Sequence, residues 1–94
     1  MKVRWTPNAK ADLKAIRARI AHDSPRYATE TIDRITRRTT ILESQPLIGS
    51  IVEELDSDYR ELLELPYRII YRIHRNRCDI LTVYHSARRL PGQL

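Results

Sequence analysis

Lysine disappears from this chain after Lys14, glycine occurs only twice, and cysteine occurs once, at Cys78. Each shortage excludes something. Two glycines leave no glycine-rich loop to cradle a phosphate. One cysteine cannot close an intramolecular disulfide or build a metal cluster, so Cys78 reads as a small residue on a strand. No apolar run approaches the roughly 20 residues that span a bilayer. The first residues, MKVRWTPNAK, show no apolar core of a secretory signal, and a cytoplasmic protein without a membrane partner is expected. Neither a carboxylate dyad at a plausible site nor a set of metal ligands is present, so no metal or other cofactor is expected.

What is present is arginine. Ninety-four residues with 41% apolar content make one domain, residues 1–94, with a small core. The net charge is +5, unevenly spread. Residues 1–44 hold ten Lys/Arg against five Asp/Glu. Residues 45–59 hold no basic residue and four acids: Glu53, Glu54, Asp56 and Asp58. Residues 60–94 hold seven arginines and three acids. Guanidinium groups suit planar, bidentate contact with carboxylate or phosphate. This charge fits nucleic acid, an acidic protein partner or plain solubility.

The pattern predicts order β-αα-βββ(β). Val3 and Trp5 alternate with Lys2 and Arg4 as a short strand. Thr6-Pro7 and Ser24-Pro25 are each an N-cap followed by proline at the first helical position. Ala9, Leu13, Ile16 and Ile20 form one helical stripe; Ala28, Ile32, Ile35, Thr39 and Leu42 form a second. Glu30 with Arg34, and Asp33 with Arg37, have the spacing of ion pairs on an outer helix face. The short link at His22 to Ser24 predicts an antiparallel helix hairpin. Pro46 and Gly49 end the helical region. Strands are then expected over 51–55, 59–65, 68–75 and 78–86, with Pro66 at a bend and Asn76-Arg77 as a tight turn. The predicted fold class is α+β: a two-helix hairpin on one face of a small, largely antiparallel sheet.

The residues with chemistry cluster late. A hairpin closed by Asn76-Arg77 places Arg68 opposite His85, beside Arg88 and Arg89. His85 is the best acid/base candidate, because histidine is the side chain suited to proton transfer near neutral pH. Arginines around a histidine would suit phosphodiester cleavage, or equally a patch that binds a partner. His22 suits a helix end, and His74 faces solvent with Arg72. Tyr67, Ile69, Tyr71 and Ile73 share one strand face, and Trp5 is expected in packing. Tyr67, Tyr71 and Tyr84 could stack on bases, but core packing is expected for most of them. Arg34, Arg37 and Arg38 read as a solvated helix face.

The ordered segments WTPNAKADLKAI, SPRYATETI, QPLIG, YRIIYRI and ILTVYHSARRLPG resemble the RelE/ParE toxin superfamily over nearly the whole chain. The resemblance implies the toxin of a type II toxin–antitoxin system, of the kind associated with plasmid stabilization, neutralised by a bound antitoxin. Members similar to RelE cleave mRNA on the ribosome; members similar to ParE inhibit DNA gyrase. The RelE branch typically carries lysines on its central strands, an arginine at the YR position and another after the last strand. Arg68 and Arg88 match those arginines, and Arg60 stands where a basic residue is expected. Glu61, Leu62 and Glu64 occupy the strand that would carry a lysine. The HSARRLPG ending resembles the ParE branch. The resemblance therefore implies a gyrase inhibitor whose target-binding residues are Arg60, Arg68, His85, Arg88 and Arg89. The alternative is an mRNA endonuclease using Arg68, His85 and Arg88.

Overall fold

The computed structural model describes residues 1–56 and 58–88. Both predicted caps form. The Thr6 hydroxyl accepts from the Ala9 amide at 3.2 Å and opens α1, Pro7–Ala21. The Ser24 hydroxyl accepts from the Tyr27 amide at 3.1 Å and opens α2, Pro25–Arg38. Each cap satisfies an amide that helix geometry leaves without a partner. The second stripe does not stay α-helical to Leu42. It tightens into a 3₁₀ turn over Thr39–Glu43. The Thr39 and Thr40 hydroxyls donate back to the carbonyls of Thr36 and Arg37, competing with the α-helical ladder. Three residues per turn still puts Thr39 and Leu42 on one buried face. Of the outer ion pairs expected on α2, neither forms as such. Glu30 pairs with Arg26 at 3.2 Å, Arg34 reaches Glu64 at 3.9 Å, and Arg37 donates to the Asp33 carbonyl.

The sheet has five strands in the order β1-β5-β4-β3-β2. They are β1 Lys2–Trp5, β2 Ser50–Ile51, β3 Tyr59–Glu64, β4 Tyr67–His74 and β5 Arg77–His85. All neighbours are antiparallel except β1, which lies parallel to β5 because the whole helix layer separates it from the later strands. Strand β2 is shorter than the expected 51–55. Val52 leaves the edge and packs with Leu55 and Tyr59 onto Ile70 and Tyr84, on the outer face of the sheet. No helix among the described residues is long and apolar enough to cross a membrane.

Two features set the β4–β5 register. The turn is Arg75-Asn76, one residue earlier than the sequence suggests, with Arg75 at φ 56 and His74 paired to Arg77. Further along, Tyr71 pairs with Ile80 but Ile70 pairs with Thr82, leaving Leu81 as the extra residue of a bulge. The start of α1 satisfies this bulge. Thr6 Oγ1 donates to the Ile80 carbonyl (2.7 Å) and Asn8 Nδ2 to the Leu81 carbonyl (3.0 Å). The Asp12 carboxylate accepts from Thr82 Oγ1 (2.5 Å) and the Val83 amide (3.1 Å).

The core lies between helices and sheet. Ala9, Ile16, Ile35 and Leu42 meet Leu62, Ile69, Tyr71, Cys78, Ile80 and Val83, with Trp5, Tyr67 and Ile73 packed around them. Tyr71 carries the core's main polar link. Its buried hydroxyl donates to the Pro46 carbonyl (2.6 Å) and accepts from the Gly49 amide (2.9 Å). Burial raises the Tyr71 pKa, keeping the phenol protonated. A Cβ on Gly49 would lie 2.5 Å from that hydroxyl and 2.7 Å from the Glu61 carbonyl, so only glycine fits. Tyr71→Phe should therefore cost about 1–3 kcal/mol, because it strands two polar backbone groups. Urea denaturation at neutral pH checks this, with Gly49→Ala expected to destabilise as well.

Candidate functional site

The register separates the residues expected to act together. Arg68 pairs with Tyr84, and Tyr67 pairs with His85. Arg68 is therefore not opposite His85. A one-residue difference in pairing reverses the face, so the two side chains leave opposite sides of the sheet.

On the outer face, Arg68 is held by two carboxylates. Its Nη1 and Nη2 bond the two oxygens of Glu54 at 2.9 and 3.2 Å, while Nε bonds Glu61 at 2.8 Å and Nη2 bonds the same Glu61 oxygen. The guanidinium also lies over the Tyr84 ring, 5.4 Å from its centroid. The hydrogen bond from Arg68 holds the Glu54 carboxyl below its ordinary pKa, and Glu54 and Glu61 together raise that of Arg68. Tyr84 is buried beside this triad, and burial raises its pKa. It is a packing residue, with no open ring face for a base. Arg60 is also engaged, donating to the Leu47 and Gly49 carbonyls at 3.3 and 2.8 Å. It clamps the loop that leads into β2.

His85 faces the helix layer at the far end of β5. Its ring meets Tyr67 edge-on, centroids 5.7 Å apart at 79°. Its Nδ1 accepts from the Ala87 amide at 3.1 Å, which orients the ring. The Arg88 amide donates to the His85 carbonyl, folding residues 86–88 back over the strand end. Between this end and α1 lies a cleft of roughly 270 Å³, lined by Asp12, Ile16, Arg19, Tyr67, His85 and Arg88 among others. Arg19 was not singled out from the sequence. Its signal was helical spacing: Asp12, Ala15, Ile16 and Arg19 recur on one helix face. Arg89 lies outside the described residues.

Chemically, the cleft offers a positioned imidazole and two guanidinium groups beside the apolar Ala15, Ile16 and Val83, while its one carboxylate, Asp12, is already bonded to Thr82 and the Val83 amide. That combination suits an acidic group beside an apolar one. A two-helix hairpin on one face of a five-stranded sheet is the ParE/RelE-like fold. Residues 3–90 match the family described as "ParE toxin of type II toxin-antitoxin system, parDE". The chain is 33% identical over 93 residues to "Putative toxin Y4kP" of Sinorhizobium fredii (strain NBRC 101917 / NGR234), covering 99% of this chain and 96% of that protein. The solved structure of the chromosomal ParDE system from P. aeruginosa superposes with TM-score 0.78 at 25% identity, over 90% of this chain and 95% of that one. The RelBE2 toxin–antitoxin complex from Mycobacterium tuberculosis shares the fold, with TM-score 0.63 at 24% identity over 93% and 92% of the two chains. The chain belongs to the ParE toxin family.

The triad makes stability depend on pH. The folded Glu54 pKa lies below its ordinary 4.5. Its stabilising effect is therefore present above that value and lost as pH falls through the depressed folded one. Denaturation of wild type and Glu54→Gln between about pH 7 and pH 3 should show wild type ahead at the neutral end and the gap narrowing toward the acid end.

Proposed function

We propose that this toxin inhibits DNA gyrase and is neutralised by a cognate acidic antitoxin. The observation that favours gyrase over mRNA cleavage is the placement of Arg68 and His85 on opposite faces, with Arg68 bonded to two carboxylates. Phosphodiester cleavage needs base, acid and cationic stabiliser around one phosphate. The proposed target contact is the mouth of the α1–β5 cleft: His85, Arg88 and Arg19, with Arg89 following in sequence. Arg60 and Arg68, included in the target set on sequence grounds, act in this proposal by holding the loop before β2 and the segment after it against the sheet.

Purified protein should inhibit gyrase supercoiling and leave ribosome-bound mRNA intact. Arg88→Ala with Arg89→Ala should weaken gyrase inhibition more than His85→Gln does, each lost contact costing roughly 1–3 kcal/mol. Codon-specific mRNA cuts that vanish with His85→Gln would instead favour the endonuclease, since losing an acid/base group costs on the order of 10²–10⁴ in rate.

For the antitoxin, the supporting feature is the sheet edge at β2 and β3. Leu47, Ile48, Ile51, Leu63 and Leu65 are large apolar residues exposed around it. Arg38 donates from α2 to the Leu63 carbonyl on the same edge, with the exposed Arg34 and Arg37 nearby on that helix. Apolar area bordered by cations suits an acidic segment that folds as it binds. A small acidic protein encoded beside the toxin should co-purify with it from the native operon. Leu63→Glu with Leu65→Glu should weaken that complex at least about tenfold, an equivalent of about 1.4 kcal/mol. A native operon that yields the toxin alone would contradict the antitoxin assignment.

A further inference from the structure

The outer face of the sheet has a second half, at the Arg75-Asn76 turn, that the cleft does not reach and that the acidic segment only borders, through Asp58 at Arg72. Pairing places Lys2 and His74 either side of Arg77, and Arg4 and Arg72 either side of Asp79, all on the outer face. Lys2, Arg4, Arg72, His74 and Arg75 are exposed. A shallow hollow of roughly 300 Å³ is lined by Lys2, His74, Arg75, Asn76 and Arg77. Two acids answer this surface: Asp79 bonds Arg77 Nε at 2.8 Å, and Asp58 lies 3.8 Å from Arg72. Lys2, Arg4 and Arg75 make no ion pair among the described residues.

We propose that this half of the sheet binds double-stranded nucleic acid through its phosphate backbone. A sheet holds cations on a rigid grid, roughly 5 Å apart across strands and 7 Å apart along them. Such a surface follows a regular line of phosphates without reading bases. Duplex is favoured over single strand because the nearby aromatic rings are already covered. Tyr59 lies under the Arg72 guanidinium, 5.6 Å from ring centroid to carbon, and Tyr84 lies under Arg68. Single-strand binding would need open rings for stacking. The binding is independent of sequence and of the gyrase assignment.

The test is fluorescence anisotropy of a labelled random-sequence DNA duplex with the full chain, titrated across salt. Binding should be clear at about 50 mM salt and weaken steeply with added salt. Lys2→Gln with Arg75→Gly removes two charges from the patch. Glycine suits the positive φ of Arg75, so the turn should keep its shape. This pair should lower affinity at least about tenfold and flatten the salt slope by about two. Lys10→Gln with Lys14→Gln removes the same charge from exposed positions of α1 and should change neither by a comparable amount. No duplex binding at low salt, equal losses from the two pairs, or tighter binding of a single strand would each overturn the proposal.

Discussion

The pleat of β4 is the constraint on which the rest of this structure depends. Alternate residues of a strand leave opposite faces, so eight residues are divided once and completely. Tyr67, Ile69, Tyr71 and Ile73 go to the helices, and Arg68, Ile70, Arg72 and His74 go outward. The first set fills the core and borders the α1–β5 cleft. The second set meets either the acidic segment or solvent. Everything that lies against β4 inherits this division. The bulge opposite Ile70 and Tyr71 then sets which β5 residue joins which face, and Thr6, Asn8 and Asp12 hold that bulge in place. The helix hairpin is thus more than a cover. Its first turns fix the register that puts His85 beside Tyr67.

The stretch from Val52 to Tyr59 divides the outer face a second time. Its apolar residues Val52, Leu55 and Tyr59 cover Ile70 and Tyr84, and Glu54 and Asp58 meet Arg68 and Arg72. The two contributions support each other. Packing positions the carboxylates, and partial burial keeps the Arg68 pairs less screened than fully exposed ones. This also explains why an acid-rich stretch without a basic residue sits inside a basic protein. Its counter-charges lie on β4, far enough along the chain to be hidden from a local charge count.

Much of the fold was legible because it is written locally. Thr6-Pro7 and Ser24-Pro25 announce helix starts through cap chemistry, and the alternation in β4 announces its buried face. Three features were not legible, and each is tertiary. The turn came one residue early because Arg75 adopts a left-handed conformation that sequence would assign to glycine or asparagine. The bulge at Leu81 depends on side chains of α1. Together these shift the pairing by one residue, enough to move His85 to the face opposite Arg68. The carboxylate partners of Arg68 were visible as letters, but nothing local connects Glu54 to a residue 14 positions away.

The arginines of β3 and β4 show how little a cation's identity says about its role. Arg60, Arg68 and Arg72 stand on adjacent strands and read together as a surface for gripping a target. Each instead finds an acceptor from residues 47–61: loop carbonyls for Arg60, Glu54 and Glu61 for Arg68, Asp58 for Arg72. Arg60 and Arg68 act as clamps, because a charged donor near an acceptor gains more from that bond than from water when the site is partly buried, whereas the Arg72 pair is exposed and long. Lys2, Arg4 and Arg75 lack an ion-pair partner among the described residues. Their fields therefore extend into solvent, where a phosphate or carboxylate from another molecule can meet them. In a domain this small, the cations that clamp and the cations left facing solvent are sorted largely by where the acidic segment comes to rest.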